Sequence, residues 1–170
     1  MKSWSLRHIG LLCLAGICLP LCGCAGSNTP SLTPVPSPIN LMLPQSLRIH
    51  PFTALRDLED ANGVRGLDVR IEALDAYGDT TRAYGDFRFE LYTFRNVSTD
   101  PKDVKIAAWD VPMLEAKANL SHWNNITRAY EFKLQWTQPA KPGQKFVLVA
   151  TFSSPFNQRI FAEYVVVAGQ

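Results

Sequence analysis

The stretch Leu67-Asp68-Val69-Arg70-Ile71-Glu72-Ala73 places an apolar residue at every second position and a charged one between. A period of two sends successive side chains to opposite faces, so this spacing specifies a strand with one face in a core and one in water. Phe87-Arg88-Phe89-Glu90-Leu91 repeats the pattern. So do Tyr130, Phe132, Leu134 and Trp136, set against Glu131, Lys133 and Gln135. Strands apolar on one face must lay that face on another layer, and a second sheet is the simplest partner.

The remaining runs agree. Leu47 to Phe52 reads as a first strand, with Pro51 marking an edge or a bulge because it has no N–H for a ladder. Ile106 to Val111 is a shorter strand, and Phe146 to Phe152 is apolar on both faces, as a central strand is. Ile160 to Val167 is similar and closes the chain. Asp75-Ala-Tyr-Gly-Asp79, Tyr84-Gly85-Asp86 and Pro139 to Gly143 supply turn chemistry. Residues 112–121 read as a short helix crossing between the sheets, with Pro112 in its first turn. The expectation is an all-β sandwich of about seven strands over residues 47–170.

All four cysteines (Cys13, Cys18, Cys22 and Cys24) precede that domain, so it holds no disulfide. They sit in or just after an apolar run without paired histidines or carboxylates, which matches no zinc spacing. Residues 1–8 are basic through Lys2, Arg7 and His8, and residues 9–21 are apolar and uncharged. As a helix that run reaches about 20 Å, short of a hydrocarbon core of roughly 30 Å, and it reads as a secretory signal. Residues 25–46 carry Pro30, Pro34, Pro36, Pro38 and Pro44, which favour an extended, semi-rigid chain. Leu41, Met42 and Leu43 are too apolar for a pure spacer and are expected against the domain.

Leu21-Cys22-Gly23-Cys24 resembles the lipobox of bacterial lipoproteins. Leu21, Gly23 and Cys24 fit the pattern, and Cys22 stands where Ala, Ser or Thr is usual. The resemblance implies a signal peptide over 1–23, cleavage before Cys24, acylation of Cys24 and a lipid-anchored tether over 24–46. Ala25 in place of Asp favours the outer membrane over the inner one. The other reading is ordinary cleavage after Ala25, with export but no anchor. The run Leu74 to Asp79 followed by Gly85-Asp86-Phe87-Arg88-Phe89 looks like immunoglobulin-like bacterial repeats, which implies an immunoglobulin-like β-sandwich. The chain is also similar to uncharacterised envelope lipoproteins of planctomycete-type bacteria, which implies the same architecture and no known activity. Lipocalins begin with a Gly-x-Trp strand that is not found near residue 47.

Removing Lys2 and Arg7 from seventeen basic residues leaves fifteen, against fifteen acidic ones. A neutral domain offers no clustered basic surface for phosphates, and no nucleic-acid partner is expected. Gly-x-Ser-x-Gly, His-Glu-x-x-His and Gly-x-x-x-x-Gly-Lys are absent from the sequence. Beyond the signal segment the histidines are His50 and His122. Ser121 or Ser153 beside His122 is a pair on paper with no nucleophile turn to support it. The acidic loop Asp57 to Gly63, aligned on its glycine, puts Leu58 at the first calcium position, so the register fails. Asp75, Asp79 and Asp86 form a second oxygen-rich group, which reads otherwise as a solvated turn. Neither a metal nor a cofactor is expected, and no catalytic residue is assigned. Asn96, Asn119 and Asn125 match the glycosylation triplet, a modification the bacterial lipobox disfavours.

Of the domain's tryptophans, Trp136 follows the inward alternation of its strand, Trp109 is open, and Trp123 in His122-Trp123-Asn124-Asn125 is the candidate ligand contact. The expected function is a non-enzymatic envelope lipoprotein. It would be held to the membrane through lipid on Cys24 and bind an envelope protein or cell-wall polymer. The alternatives are a carbohydrate- or small-ligand-binding module using loop aromatics and, further off, a hydrolase without a recognisable motif.

Overall fold

The computed structural model describes residues 32–35, 39–58 and 64–169. The signal segment, the lipobox with Cys24 and most of the acidic loop at 59–63 lie outside the described residues. Among the described residues nine strands, where about seven were expected, form two antiparallel sheets, consistent with the expected all-β sandwich. They are β1 (Ser46–Ile49), β2 (Ala54–Leu58), β3 (Val64–Leu74), β4 (Asp86–Phe94), β5 (Lys102–Val111), β6 (Trp123–Asn124), β7 (Ala129–Gln135), β8 (Lys145–Ser153) and β9 (Ile160–Val167). One sheet runs β1-β3-β7-β6, with β2 also on β3; the other runs β5-β4-β8-β9. Taking β1 and β2 as one interrupted edge strand, this is the order of an immunoglobulin-type sandwich.

Pro51 is the reason two edge strands stand where one was expected. β1 pairs as far as Ile49↔Ile71 and β2 begins at Ala54↔Asp68, so residues 50–53 span only positions 69 and 70. Thr53 Oγ1 accepts the Arg70 N–H at 3.1 Å, replacing the ladder bond lost at the break. The insertion is an even number of residues, so Leu47, Ile49 and Leu55 all keep the core face; an odd one would have reversed Leu55.

The inner faces meet as the alternation requires. Leu67, Val69, Ile71, Tyr130, Phe132 and Leu134 from one sheet pack on Phe87, Phe89, Leu91, Phe146, Leu148 and Phe152 from the other. Phe87 sits at the centre, its ring 5.0 Å from Phe152 and 5.1 Å from Phe132. Gly66 lies where β3 passes closest to its neighbours. A Cβ there would strike the Leu134 carbonyl and come within 2.6 Å of Leu58 Cδ1. The outer face of this sheet is a ladder of opposed charges: Arg48 with Glu72, Arg70 facing Glu131, and buried Asp68 facing Lys133, whose Nζ is 2.9 Å from Asp68 Oδ1.

Three expectations need correction. The helix is Ala116–His122 with Glu115 at its N-cap, so Pro112 lies in the extended segment before it. The intervening Met113 is buried in the core, which holds that segment extended. β5 begins at Lys102 rather than Ile106, because bulges at Leu91/Tyr92 and Tyr92/Phe94 spoil its alternation. β9 is an edge strand with Phe161, Glu163 and Val165 turned outward, unlike central β8.

The proline-rich segment lies against the sandwich at several points. Thr33 donates its N–H to Pro155 O at 2.7 Å, and residues Ile39–Met42 form a 3-10 turn. Leu41 O accepts from Ala76 N, Met42 O from Thr81 Oγ1, and the carbonyl of buried Pro44 from Asn157 Nδ2. Leu41 and Leu43 are half-buried as expected, whereas Met42 is exposed.

Candidate functional site

A groove of about 650 Å³ lies on the outer face of the β5-β4-β8-β9 sheet. Antiparallel register builds it: Arg88 of β4 faces Asp110 of β5 on one side and Thr151 of β8 on the other, and Thr151 faces Phe161 of β9. One row across four strands therefore presents carboxylate, guanidinium, hydroxyl and aromatic ring in order. Arg159 flanks it and donates Nε–H to Ser153 Oγ at 3.2 Å. Phe161 is 66% exposed, a large apolar side chain that the fold leaves open to water.

The charges here neutralise one another. Arg88 Nη1 meets both carboxylate oxygens of Asp110 at 2.7 and 2.8 Å, and Asp110 holds the guanidinium above its ordinary pKa. Glu90, on the next outward position of β4, takes a hydrogen bond from Lys105 Nζ at 3.0 Å, and this pairing lowers its pKa. Tyr92 donates its hydroxyl to Glu90; burial, and then this bond, raise the pKa of the phenol. Farther along, Lys102 of edge strand β5 reaches Glu163 of edge strand β9 at 2.5 Å. The groove offers planar donors and acceptors beside an aromatic ring, an arrangement that can grip a polar polymer.

Trp123 lies at the end of the sandwich where β3–β4, β6–β7 and β8–β9 connect. It is half-buried in β6, not in a loop, and pairs with Tyr130. Its ring meets Tyr130 edge-on at 4.9 Å, and the Arg82 guanidinium lies over it at 4.8 Å. Its Nε1–H donates to Asn125 Oδ1 at 2.9 Å. A ligand stacking on this indole would first have to displace Arg82. Trp136 packs in the core against Phe146, and Trp109 joins the two sheets through Nε1–H to Gln135 O at 3.0 Å.

The other candidates are occupied by local structure. Ser121 Oγ donates to Ala118 O, and His122 Nδ1 lies 2.9 Å from Glu131 O with its ring on Phe132. Asp75 Oδ1 accepts the N–H groups of Tyr77 and Asp79, closing the turn, and Asp86 Oδ1 accepts from Met113 N. His50 Nδ1 accepts from Phe52 N, within the Pro51 break. Among the described residues no group of three metal-ligating side chains gathers, and no helix is long and apolar enough to cross a membrane.

Sequence reasoning missed the groove. Arg88, Thr151 and Phe161 are far apart in the chain, and only strand register brings them into one row. The one available signal was Phe161 itself, an aromatic on the outward alternation of β9 had that strand been taken as an edge. No known protein family matches the chain, and neither a curated protein nor a solved structure does.

Proposed function

We propose that the chain is a non-enzymatic lipoprotein of the cell envelope, anchored through lipid on Cys24 with the outer membrane favoured, and that its β-sandwich binds a cell-wall polymer. The groove beside Phe161 carries this reading. Its row of ion-paired and hydroxyl side chains suits the repeated hydroxyl, amide and carboxylate groups of such a polymer, and its aromatic ring suits an apolar face. Self-neutralised pairs such as Arg88–Asp110 serve recognition better than proton transfer, which needs a base free to titrate near neutrality. The Leu21-Cys22-Gly23-Cys24 pattern supports the anchor.

The test is co-sedimentation of the purified protein with isolated wall sacculi. Phe161→Ala and Arg159→Ala should each weaken binding about five- to thirty-fold, corresponding to roughly 1–2 kcal/mol. Sacculus binding that is absent from the wild type, or undiminished in both variants, overturns the wall reading. A Cys24→Ala protein that stays in the membrane fraction overturns the anchor. Crosslinking of the wild type to one envelope protein without sacculus binding would favour a protein partner instead.

A further inference from the structure

We infer that the loop end of the sandwich, formed by the β3–β4, β6–β7 and β8–β9 connections, rests on the lipid bilayer through exposed apolar side chains. The inference depends on the proposed attachment of lipid to Cys24. Where the chain enters the fold is the first argument. Thr33 is already bonded to Pro155 in the β8–β9 connection, and Leu41 and Met42 are bonded to Ala76 and Thr81 in the β3–β4 connection. Only residues 25–32 then separate the lipid from this end, about 25 Å fully extended and less when slack. So short a leash keeps the loop end at high effective concentration near the bilayer, where a weak contact is enough to hold it.

The second argument is the surface that end presents. Ile126 is 94% exposed, Tyr77 72%, Met42 66% and Leu120 60%, and Ile39 is exposed beside them. They stand on the connections, the helix and the entering segment at this end. Arg82 borders both an apolar groove of about 330 Å³ with Tyr84, Leu114 and Leu120, and a mainly polar one of about 570 Å³ with Met42, Asp75, Thr81 and Arg128. Apolar side chains with tyrosines and arginines among them suit the boundary between headgroups and acyl chains. Arg82 and Arg128 share the second groove with Asp75 and Asp79, so the face is charge-balanced and calls for no anionic lipid. Arg88, Thr151 and Phe161 of the groove lie on the outer sheet face beside this end, whereas Arg159 belongs to the β8–β9 connection itself.

The experiment uses the mature lipidated protein in phosphatidylcholine vesicles. Lipid blocks the Cys24 thiol, so Ile126→Cys and Val97→Cys each carry one thiol for a polarity-sensitive fluorophore. Ile126 lies at the loop end, whereas Val97 is fully exposed in the β4–β5 turn at the other end. The Ile126→Cys probe should shift to the blue and be quenched by brominated acyl chains, equally at low and high salt, while the Val97→Cys probe does neither. If the protein floats with the vesicles but both probes stay unquenched, docking is overturned and the anchor stands. If cells incorporate no labelled fatty acid into the wild type but do not fail to export it, the anchor is overturned and docking loses its basis.

Discussion

Replacing Tyr130 by Phe removes one oxygen from the join between β7, the β3–β4 connection and the helix. That hydroxyl accepts the Ala83 N–H at 2.9 Å and donates to Asn119 Oδ1 at 3.0 Å; Asn119 Nδ2 in turn donates to Ala83 O. Ala83 is 1% exposed, so its N–H has no water to turn to, whereas half-buried Asn119 recovers part of its hydration. An unsatisfied buried N–H costs about 1–3 kcal/mol, which places Tyr130→Phe near 2 kcal/mol and lowers Tm by about 8 °C for a domain of this size. Burial raises the Tyr130 pKa above its ordinary value of 10.0. The unfolded chain therefore ionises first. The stability that neutral Tyr130 contributes is complete below about pH 10 and is lost as pH rises through the folded value. Urea unfolding of wild type and variant across pH 7–11 checks both points. Tyr92 is also raised but is present in both proteins, so the difference curve belongs to Tyr130. A gap under about 0.5 kcal/mol at pH 7, or one that does not narrow above pH 10, would refute the reasoning.

Other outcomes follow from the same geometry. Gly66→Ala should destabilise by about 1–3 kcal/mol, read as a lower urea midpoint at unchanged slope, because the added methyl meets the Leu134 carbonyl and Leu58. Glu90→Gln should flatten the loss of stability in acid. The lowered carboxyl pKa, set first by Lys105, contributes stability above about pH 4.5 that disappears as pH falls through the folded value; an unchanged acid limb in a pH titration of Tm would contradict this. Arg82→Ala should uncover one face of Trp123, raising acrylamide quenching of tryptophan fluorescence with a stability change under about 1 kcal/mol.

Most of the sandwich was legible because strands half in water must alternate. The alternate residues of Leu67 to Ala73, Phe87 to Leu91 and Tyr130 to Leu134, starting from the first of each, face inward as their spacing requires. Legibility failed where the ladder was irregular or the partner unknown. The bulges within β5 hid its first four residues, and a two-residue strand such as β6 is too short to show a period. An apolar run like Ile160 to Val167 does not record whether one neighbour or two will pair with it. The groove was invisible for a related reason: its row is ordered by register across strands, a property of pairing that no single segment carries. Trp123 stood out as a residue type, but Arg82, the cation over its ring, lies in another loop.

The interrupted strand at Pro51 has a mechanical consequence. If the chain is anchored to a membrane and grips a wall from the opposite sheet, as proposed, it stands under tension whenever the two move apart. Force entering through the proline-rich segment first meets isolated bonds, Thr33 to Pro155 and then Leu41 to Ala76, which yield one at a time. It next reaches β1, whose pairs from Ser46↔Leu74 to Ile49↔Ile71 are loaded together along the strand. Beyond the break, β2 keeps its own register on β3 and takes the load only after β1 has peeled away. The edge would therefore lengthen in stages while the β5-β4-β8-β9 sheet and its groove stay intact, a graded shock absorber made from one proline and an even number of extra residues.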